Sequence, residues 1–184
     1  MKRPLLLIFA LFVAASAFAL KVYINPGHGG WGANDRPNAT IPYPNLSSTG
    51  RPDTLGFYES NTNLWKCFYL RDKLNAIGVS TKMSRTTNGT TEAEKSLSTI
   101  CSETNNYAPD HFISVHSNAL TDGTNTNYPI ILFRGLDSNE KISGSKARAT
   151  ATWNELVKIY TQSKFEYYTA YQTSTNVRGD DSFY

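Results

Sequence analysis

Short apolar runs alternate with longer helix-like stretches along this chain, and this alternation limits the possible folds more than any other feature. Four short runs have the pattern of buried strands, at residues 21–24, 79–83, 112–115 and 129–133. Three longer stretches have the pattern of helices, at residues 58–77, 91–106 and 142–168. Gly78 is expected to end the first helix, and Thr91 to cap the second. The order predicts an α/β fold, a single domain with a mainly parallel mixed sheet that helices cover on both faces.

The first 19 residues have the pattern of an export signal. A basic start is followed by an apolar run over residues 5–12 and by a small-x-small pattern at residues 17–19. The apolar run is shorter than the ~20 residues of a membrane-spanning helix. We therefore predict a cleaved signal peptide over residues 1–19 and a mature domain over residues 20–184, located in the periplasm or outside the cell and without a membrane span.

The charge of the predicted mature domain is close to neutral. The whole chain carries 18 basic and 15 acidic side chains, and two of the basic ones lie in the signal segment. Nucleic acids and anionic membranes bind proteins through an excess of basic side chains, so this balance argues against both as partners. We expect the domain to be a monomer.

The two cysteines, Cys67 and Cys101, lie on different predicted helices. Export makes a disulfide chemically possible, and the sequence leaves open whether the two thiols are bridged or separately buried. Neither cysteine has a second cysteine or a histidine at the short spacing that zinc-binding motifs use.

Two of the three histidines stand after predicted strands. His28 lies in a glycine-rich turn after residues 21–24, and His116 directly follows residues 112–115. The carboxyl ends of parallel strands meet at one sheet edge, where α/β proteins bind their ligands. Glu59 begins the first long helix, which a right-handed crossover starts near the same edge. Two imidazoles and one carboxylate form the ligand set of a hydrolytic zinc site, so we predict that His28, Glu59 and His116 bind Zn²⁺.

Each of these residues also has an ordinary structural role open to it. His28 could serve only the turn, Glu59 is favourable at a helix N-terminus, and neighbouring amides could satisfy His116. The third histidine, His111, begins its strand and belongs to the opposite edge. Anion binding by residues 27–30 is a further alternative, but this segment lacks the lysine of a P-loop and the spacing of a dinucleotide motif.

Three segments resemble the motifs of the zinc-dependent N-acetylmuramoyl-L-alanine amidases. They are residues 22–30, Glu59 with Asn63, and residues 112–119, and residues 83–85 are similar to a short strand of this family that ends in arginine. The resemblance extends from about Lys21 to the end of the chain. It implies a zinc ion held by His28, Glu59 and His116.

The resemblance also implies a reaction and a partner. The reaction is hydrolysis of the amide between the lactyl group of N-acetylmuramic acid and the L-alanine of the stem peptide, with peptidoglycan as the partner, in cell-wall remodelling or turnover. Asn25, Arg85 and Asn118 are further candidates, either as supports for the zinc ligands or as substrate contacts.

The chain departs from the family pattern in two places. Asn25 stands where family members usually carry aspartate, so we expect His28 to be held more weakly. The family has a final strand that ends in a catalytic glutamate, and residues 176–184 resemble only the approach to it. The general base is therefore expected beyond Tyr184, the domain is expected to lack its final strand, and hydrolysis is expected to be slow or absent. The alternative is a non-catalytic, zinc-containing module that binds peptidoglycan.

Overall fold

The computed structural model describes residues 20–29, 59–88, 95–117, 130–162 and 177–180. These residues belong to two compact units, Met1–Ser117 and Asn118–Tyr184. The predicted signal segment lies outside the described residues, and so do Asn118 and Thr91. Within the described ranges, no helix is long and apolar enough to cross a membrane.

The first unit is built on a three-stranded parallel sheet with β1 at its centre. Its strands are β1 (Lys21–Pro26), β2 (Ser80–Met83) and β3 (His111–Val115), in the order β2-β1-β3. Both neighbours run parallel to β1, and Ile24 pairs with Met83 on one side and with Ile113 on the other. The prediction that the strands before His28 and His116 are parallel members of one sheet is confirmed.

Successive side chains of β1 point to opposite faces of the sheet, and a helix covers each face. The two helices are α1 (Glu59–Ala76) and α2 (Leu97–Tyr107). Val22 and Ile24 form a core with the fully buried Cys67 of α1, and burial of each aliphatic side chain stabilises the fold by about 1.5–3 kcal/mol. Tyr23, on the other face, donates a hydrogen bond to Glu103 of α2 at 2.6 Å. Burial on both faces explains why β1 is apolar without alternation.

The end of α1 agrees with the sequence-based prediction, whereas the start of α2 differs from it. Gly78 follows α1 with a φ of 84°, a left-handed conformation that suits glycine, as predicted. The second helix begins at Leu97, six residues after the predicted start. The side chain of Ser96 accepts a hydrogen bond from the amide of Thr99 at 3.2 Å. This bond caps the helix at Ser96, so the predicted earlier start is wrong for the two described residues before Leu97.

The described residues of the second unit form a mixed three-stranded sheet and one helix. Its elements are β4 (Ile131–Leu136), β5 (Asn139–Glu140), α3 (Ser145–Gln162) and β6 (Val177–Asp180), and the strand order is β5-β4-β6. β4 is antiparallel to β5 and parallel to β6. The helix packs on β4, with Phe133, Ala149 and Trp153 buried. The α/β class with mainly parallel strands is therefore confirmed.

The strand β6 differs from the sequence-based expectation. Residues 176–184 are predicted only as the approach to a further strand, but Val177–Asp180 themselves pair with β4. The amide of Gly179 donates to Asp137 Oδ1 at 2.6 Å, and a Cβ at Gly179 would lie 2.4 Å from the backbone of Leu136. Close backbone approach at a glycine therefore lets this segment join the sheet.

Candidate metal centre

A tight turn after β1 places His28 beside His116. The amide of Gly27 donates to the carbonyl of Val115 at 2.8 Å, which joins the turn to the end of β3. A Cβ at Gly27 would lie 2.3 Å from the ring of His116, so only glycine leaves room for this imidazole. His28 itself has a φ of 58°, a left-handed conformation that is uncommon outside glycine and is found at functional sites.

The carboxylate of Glu59, the first residue of α1, lies between the two imidazoles. Glu59 Oε2 is 3.4 Å from His28 Nε2, and Glu59 Oε1 is 3.3 Å from His116 Nδ1. The amide of Ser117 donates to Oε1 at 2.8 Å and fixes the carboxylate. The Glu59 side chain is 8% exposed, against 18% for His28 and 50% for His116, so the cluster opens to solvent on the side of His116.

The carboxyl group of Glu59 is held in its ionised form. Burial by itself raises the pKa of this carboxyl group. Hydrogen bonds from His116, His28 and the Ser117 amide outweigh the burial, so the pKa of Glu59 lies well below its usual range. A divalent metal ion requires an ionised carboxylate of such a ligand, and on binding it displaces any proton from the imidazole nitrogens that face Glu59.

The three side chains are close enough together to hold one metal ion. One ligand atom from each of His28, Glu59 and His116 lies within 4.8 Å of the other two. Two ligand atoms of one tetrahedral zinc, each about 2.1 Å from the ion, are about 3.4 Å apart. The separations of 3.4 Å from His28 Nε2 to Glu59 Oε2 and of 3.3 Å from His116 Nδ1 to Glu59 Oε1 are close to this value, although each involves a different carboxylate oxygen. With three protein ligands and exposure at His116, the cluster leaves room for a fourth ligand from solvent or substrate.

Asn63 supports both the turn and the carboxylate, a role that sequence reasoning missed. It is fully buried, and its Nδ2 donates to the Gly27 carbonyl at 3.3 Å and to Glu59 Oε1 at 3.4 Å. Its Oδ1 is buried and accepts no hydrogen bond from any described residue. The signal that could have revealed this role is the four-residue spacing from Glu59, which puts the two side chains on one face of α1.

Asn25 lies between two strands of the sheet. We predicted that an amide at this position holds His28 more weakly than a carboxylate would. The Asn25 Oδ1 accepts from Ser84 at 2.7 Å, and its Nδ2 donates to the hydroxyl of Ser114 at 3.0 Å. Because Asn25 pairs with Ser114 in the β1–β3 register, its amide ties the ends of neighbouring strands together.

Arg85 is buried beneath the turn that carries His28. Its side chain donates to the carbonyl of His28 at 2.6 Å, so the structure places it against the backbone of a predicted ligand. Asn88, which sequence reasoning also missed, contacts Arg85 and the first turn of α1. The third candidate support, Asn118, lies outside the described residues.

Both cysteines are free thiols in the structure. Cys67 is fully buried in the core of the first unit, and Cys101 is partly buried on α2. Among the described residues, the group of side chains that could hold a metal ion consists of His28, Glu59 and His116, and we call it the metal-type cluster. Neither cysteine belongs to it.

Comparison with known proteins gives matches at two levels. A family model described as N-acetylmuramoyl-L-alanine amidase matches residues 22–177. The fold is similar to that of the N-acetylmuramoyl-L-alanine amidase from Clostridium difficile 630, with 23% identity, 90% of this chain and 71% of that chain covered, and a TM-score of 0.63. A search of the curated proteins finds no match.

Two mycobacterial enzymes have a similar fold. The N-acetylmuramyl-L-alanine amidase Ami1 from Mycobacterium abscessus is 17% identical, over 89% of this chain and 76% of that chain, with a TM-score of 0.59. Ami1 from Mycobacterium smegmatis is 18% identical, over 89% and 74% of the two chains, also with a TM-score of 0.59. At such identities the likeness concerns the fold, whereas the family model extends over most of the sequence. This chain therefore belongs to the N-acetylmuramoyl-L-alanine amidase family.

Proposed function

We propose that this chain is a zinc-dependent amidase of the cell wall. Its substrate is peptidoglycan, and the bond it hydrolyses joins the lactyl group of N-acetylmuramic acid to the L-alanine of the stem peptide. The observation that carries the proposal is the cluster of two imidazoles and one ionised carboxylate at a single sheet edge. Membership in the amidase family supports the same reaction.

The three clustered side chains would hold the zinc ion. His28 faces Glu59 with Nε2 and His116 faces it with Nδ1, so these nitrogens are the ligand atoms. A zinc ion held there would act as a Lewis acid on the amide carbonyl and on the water that attacks it. The Ser117 amide keeps the carboxylate of Glu59 in place, and Gly27 leaves the space in which the His116 ring lies.

The general base is a separate requirement of this reaction. Among the described residues, the cluster contains one carboxylate, that of Glu59. A carboxylate that stays bound to zinc is not available to accept a proton. The resemblance to the amidase family implies a glutamate for this role. A positioned general base typically contributes about 10²- to 10⁴-fold to the rate of such a reaction.

Export and oligomeric state complete the proposal. Residues 1–19 are proposed as a cleaved signal peptide, which would deliver the domain to the periplasm or the cell exterior, where peptidoglycan lies. We further propose that the mature domain, residues 20–184, is a monomer. N-terminal sequencing of the exported protein and its mass in solution test these two statements.

Metal analysis of four proteins tests the zinc site. We expect one zinc ion per chain in the parent protein and in His111→Ala, and less than a tenth of that in His28→Ala and His116→Ala. His111 is the matched control because it begins β3 and pairs with Val22, at the opposite end of the strand from His116. Equal zinc in all four proteins would show that the ligands lie elsewhere.

Peptidoglycan digestion tests the reaction. Purified peptidoglycan is incubated with the zinc-loaded parent chain, and new L-alanine amino termini are counted against the same reaction with His28→Ala. Zinc-dependent release supports the amidase proposal. Zinc binding and co-sedimentation with peptidoglycan, but without release, would contradict it and would favour a non-catalytic binding module.

A further inference from the structure

The side chain of Arg85 donates hydrogen bonds to the backbone carbonyls of the turn that carries His28. Its Nε donates to the carbonyls of Pro26 at 3.3 Å and His28 at 2.6 Å, and its Nη2 donates to the carbonyl of Gly27 at 3.2 Å. Three successive carbonyls of the turn therefore converge on one guanidinium group. This group holds the turn in the left-handed conformation seen at His28.

The same guanidinium group reaches the first turn of α1. Its Nη2 also donates to the carbonyl of Ser60 at 2.9 Å, and Ser60 follows Glu59 directly in the sequence. Its Nη1 donates to the carbonyl of Thr87 at 3.1 Å and to Asn88 Oδ1 at 3.1 Å. All three guanidinium nitrogens of Arg85 thus have acceptors, which explains how a charged side chain is 6% exposed.

Asn88 makes a second connection between the same segments. While its Oδ1 accepts from Arg85, its Nδ2 donates to the hydroxyl of Ser60 at 2.9 Å and to the side chain of Asn61. Arg85 and Asn88, which we call the ligand clamp, therefore tie the His28 turn to the N-terminus of α1. The two zinc-ligand segments lie 31 residues apart in sequence but meet at this pair.

We propose that the ligand clamp is a positioning device, which sets the separation of His28 and Glu59 before the metal ion binds. Neither clamp residue is a member of the metal-type cluster. Arg85 acts through backbone carbonyls of the ligand segments, and Asn88 acts through the side chains of Ser60 and Asn61. The inference rests on the proposed zinc site and not on the amidase reaction. A site already spaced for zinc binds more tightly because less ordering free energy is lost on binding.

Zinc affinity of matched variants tests the ligand clamp. We expect Asn88→Ala and Arg85→Lys to raise the zinc dissociation constant of the full chain by about 10- to 100-fold, measured by competition with a chelating dye. The controls are Asn75→Ala and Arg71→Lys. Asn75 accepts a hydrogen bond from Thr81 at the far end of α1, and Arg71 pairs with Asp72 on its surface. Both controls are expected within twofold of the parent.

A second readout separates positioning from simple stabilisation. The urea midpoint of the metal-free chain is expected to fall similarly for Asn88→Ala and Asn75→Ala, whereas only Asn88→Ala changes the zinc dissociation constant. Loading with cobalt(II), whose visible absorption reports coordination geometry, should give an altered spectrum only for the clamp variants.

Three outcomes would overturn the proposal. The first is a dissociation constant for Asn88→Ala and Arg85→Lys equal to that of the controls while His28→Ala loses zinc, which leaves the zinc site intact and removes only the clamp. The second is tighter zinc binding by the clamp variants. The third is full zinc binding by His28→Ala, because then the clamp has no ligand there to position and the zinc site fails too.

Discussion

Gly27 and His28 meet two separate requirements at the end of β1. Gly27 leaves the space that the His116 ring fills, since a Cβ there would overlap the imidazole. His28 keeps a side chain in a left-handed conformation, which costs on the order of 1–2 kcal/mol for a residue with a Cβ. The hydrogen bond from Arg85 to the His28 carbonyl offsets part of that cost. Gly27 therefore leaves space for the His116 ring, and His28 contributes an imidazole to the cluster.

Replacement of Gly27 by alanine is expected to weaken zinc binding at least tenfold. The new Cβ would displace the His116 ring from Glu59, because the two cannot occupy the same space. Competition with a chelating dye measures the change in the zinc dissociation constant.

Gly78→Ala is the control for Gly27→Ala. Gly78 also has a positive φ, of 84°, but a Cβ there would have no atom within 4 Å. Strain should lower its free energy of unfolding by about 1–2 kcal/mol without changing zinc affinity. Equal losses of zinc affinity in both variants would refute the steric explanation.

At the scale of elements, the sequence predicted the strands and their polarity better than the contacts between elements. The strand before His28 was predictable because an apolar run buried on both faces identifies an inner strand. The strand before His116 was predictable because Phe112, Ile113 and Val115 form a short apolar run. The start of α2 was not predictable, because it depends on a single hydrogen bond from the amide of Thr99 to the hydroxyl of Ser96. The role of Asn88 was hidden for a similar reason, since Ser60 and Asn61, to which it donates, lie far away in sequence.

The contact between β1 and α2 predicts a pH dependence of stability. A hydrogen bond from Lys95 and a second from Tyr23 lower the pKa of Glu103 below the ordinary value of a glutamate. A carboxylate with a lowered folded-state pKa stabilises the fold above its unfolded pKa, and the stabilisation is lost as pH falls through the folded value. Glu103→Gln should therefore show a smaller loss of stability than the parent between pH 7 and acid pH, measured by urea denaturation.

Tyr23→Phe tests the same contact from the other side. It removes the hydroxyl that donates to Glu103 at 2.6 Å, so we expect the free energy of unfolding at pH 7 to fall by about 1 kcal/mol. Its pH dependence should lie between those of the parent and Glu103→Gln. An unchanged pH dependence in both variants would show that Glu103 does not contribute as described.

At the scale of the whole molecule, the complete metal-type cluster lies in the first compact unit. His28, Glu59 and His116 come from three separate parts of the chain, yet all belong to Met1–Ser117. An ion that joins them would link the end of β1, the start of α1 and the end of β3. Metal binding is therefore coupled to the stability of this unit.

Zinc is expected to raise the melting temperature of the chain. Free zinc at 100 times its dissociation constant adds about 2.7 kcal/mol to the free energy of unfolding, which corresponds to roughly 5–10 °C for a chain of this size. Calorimetry with and without zinc measures the shift, and a chelator should reverse it. The double variant His28→Ala/His116→Ala should show no shift, and a full shift there would place the stabilising zinc at another site.

The burial of Cys67 has a consequence for the redox chemistry of the domain. Burial raises the pKa of its thiol to about 12, although Arg85 and Lys66 act in the opposite direction. The thiolate is the form that attacks disulfides and reacts with oxidants, and almost none of it exists at neutral pH when the pKa is that high. Core packing thus keeps the free thiol of Cys67 chemically inert at neutral pH, without a partner sulfur.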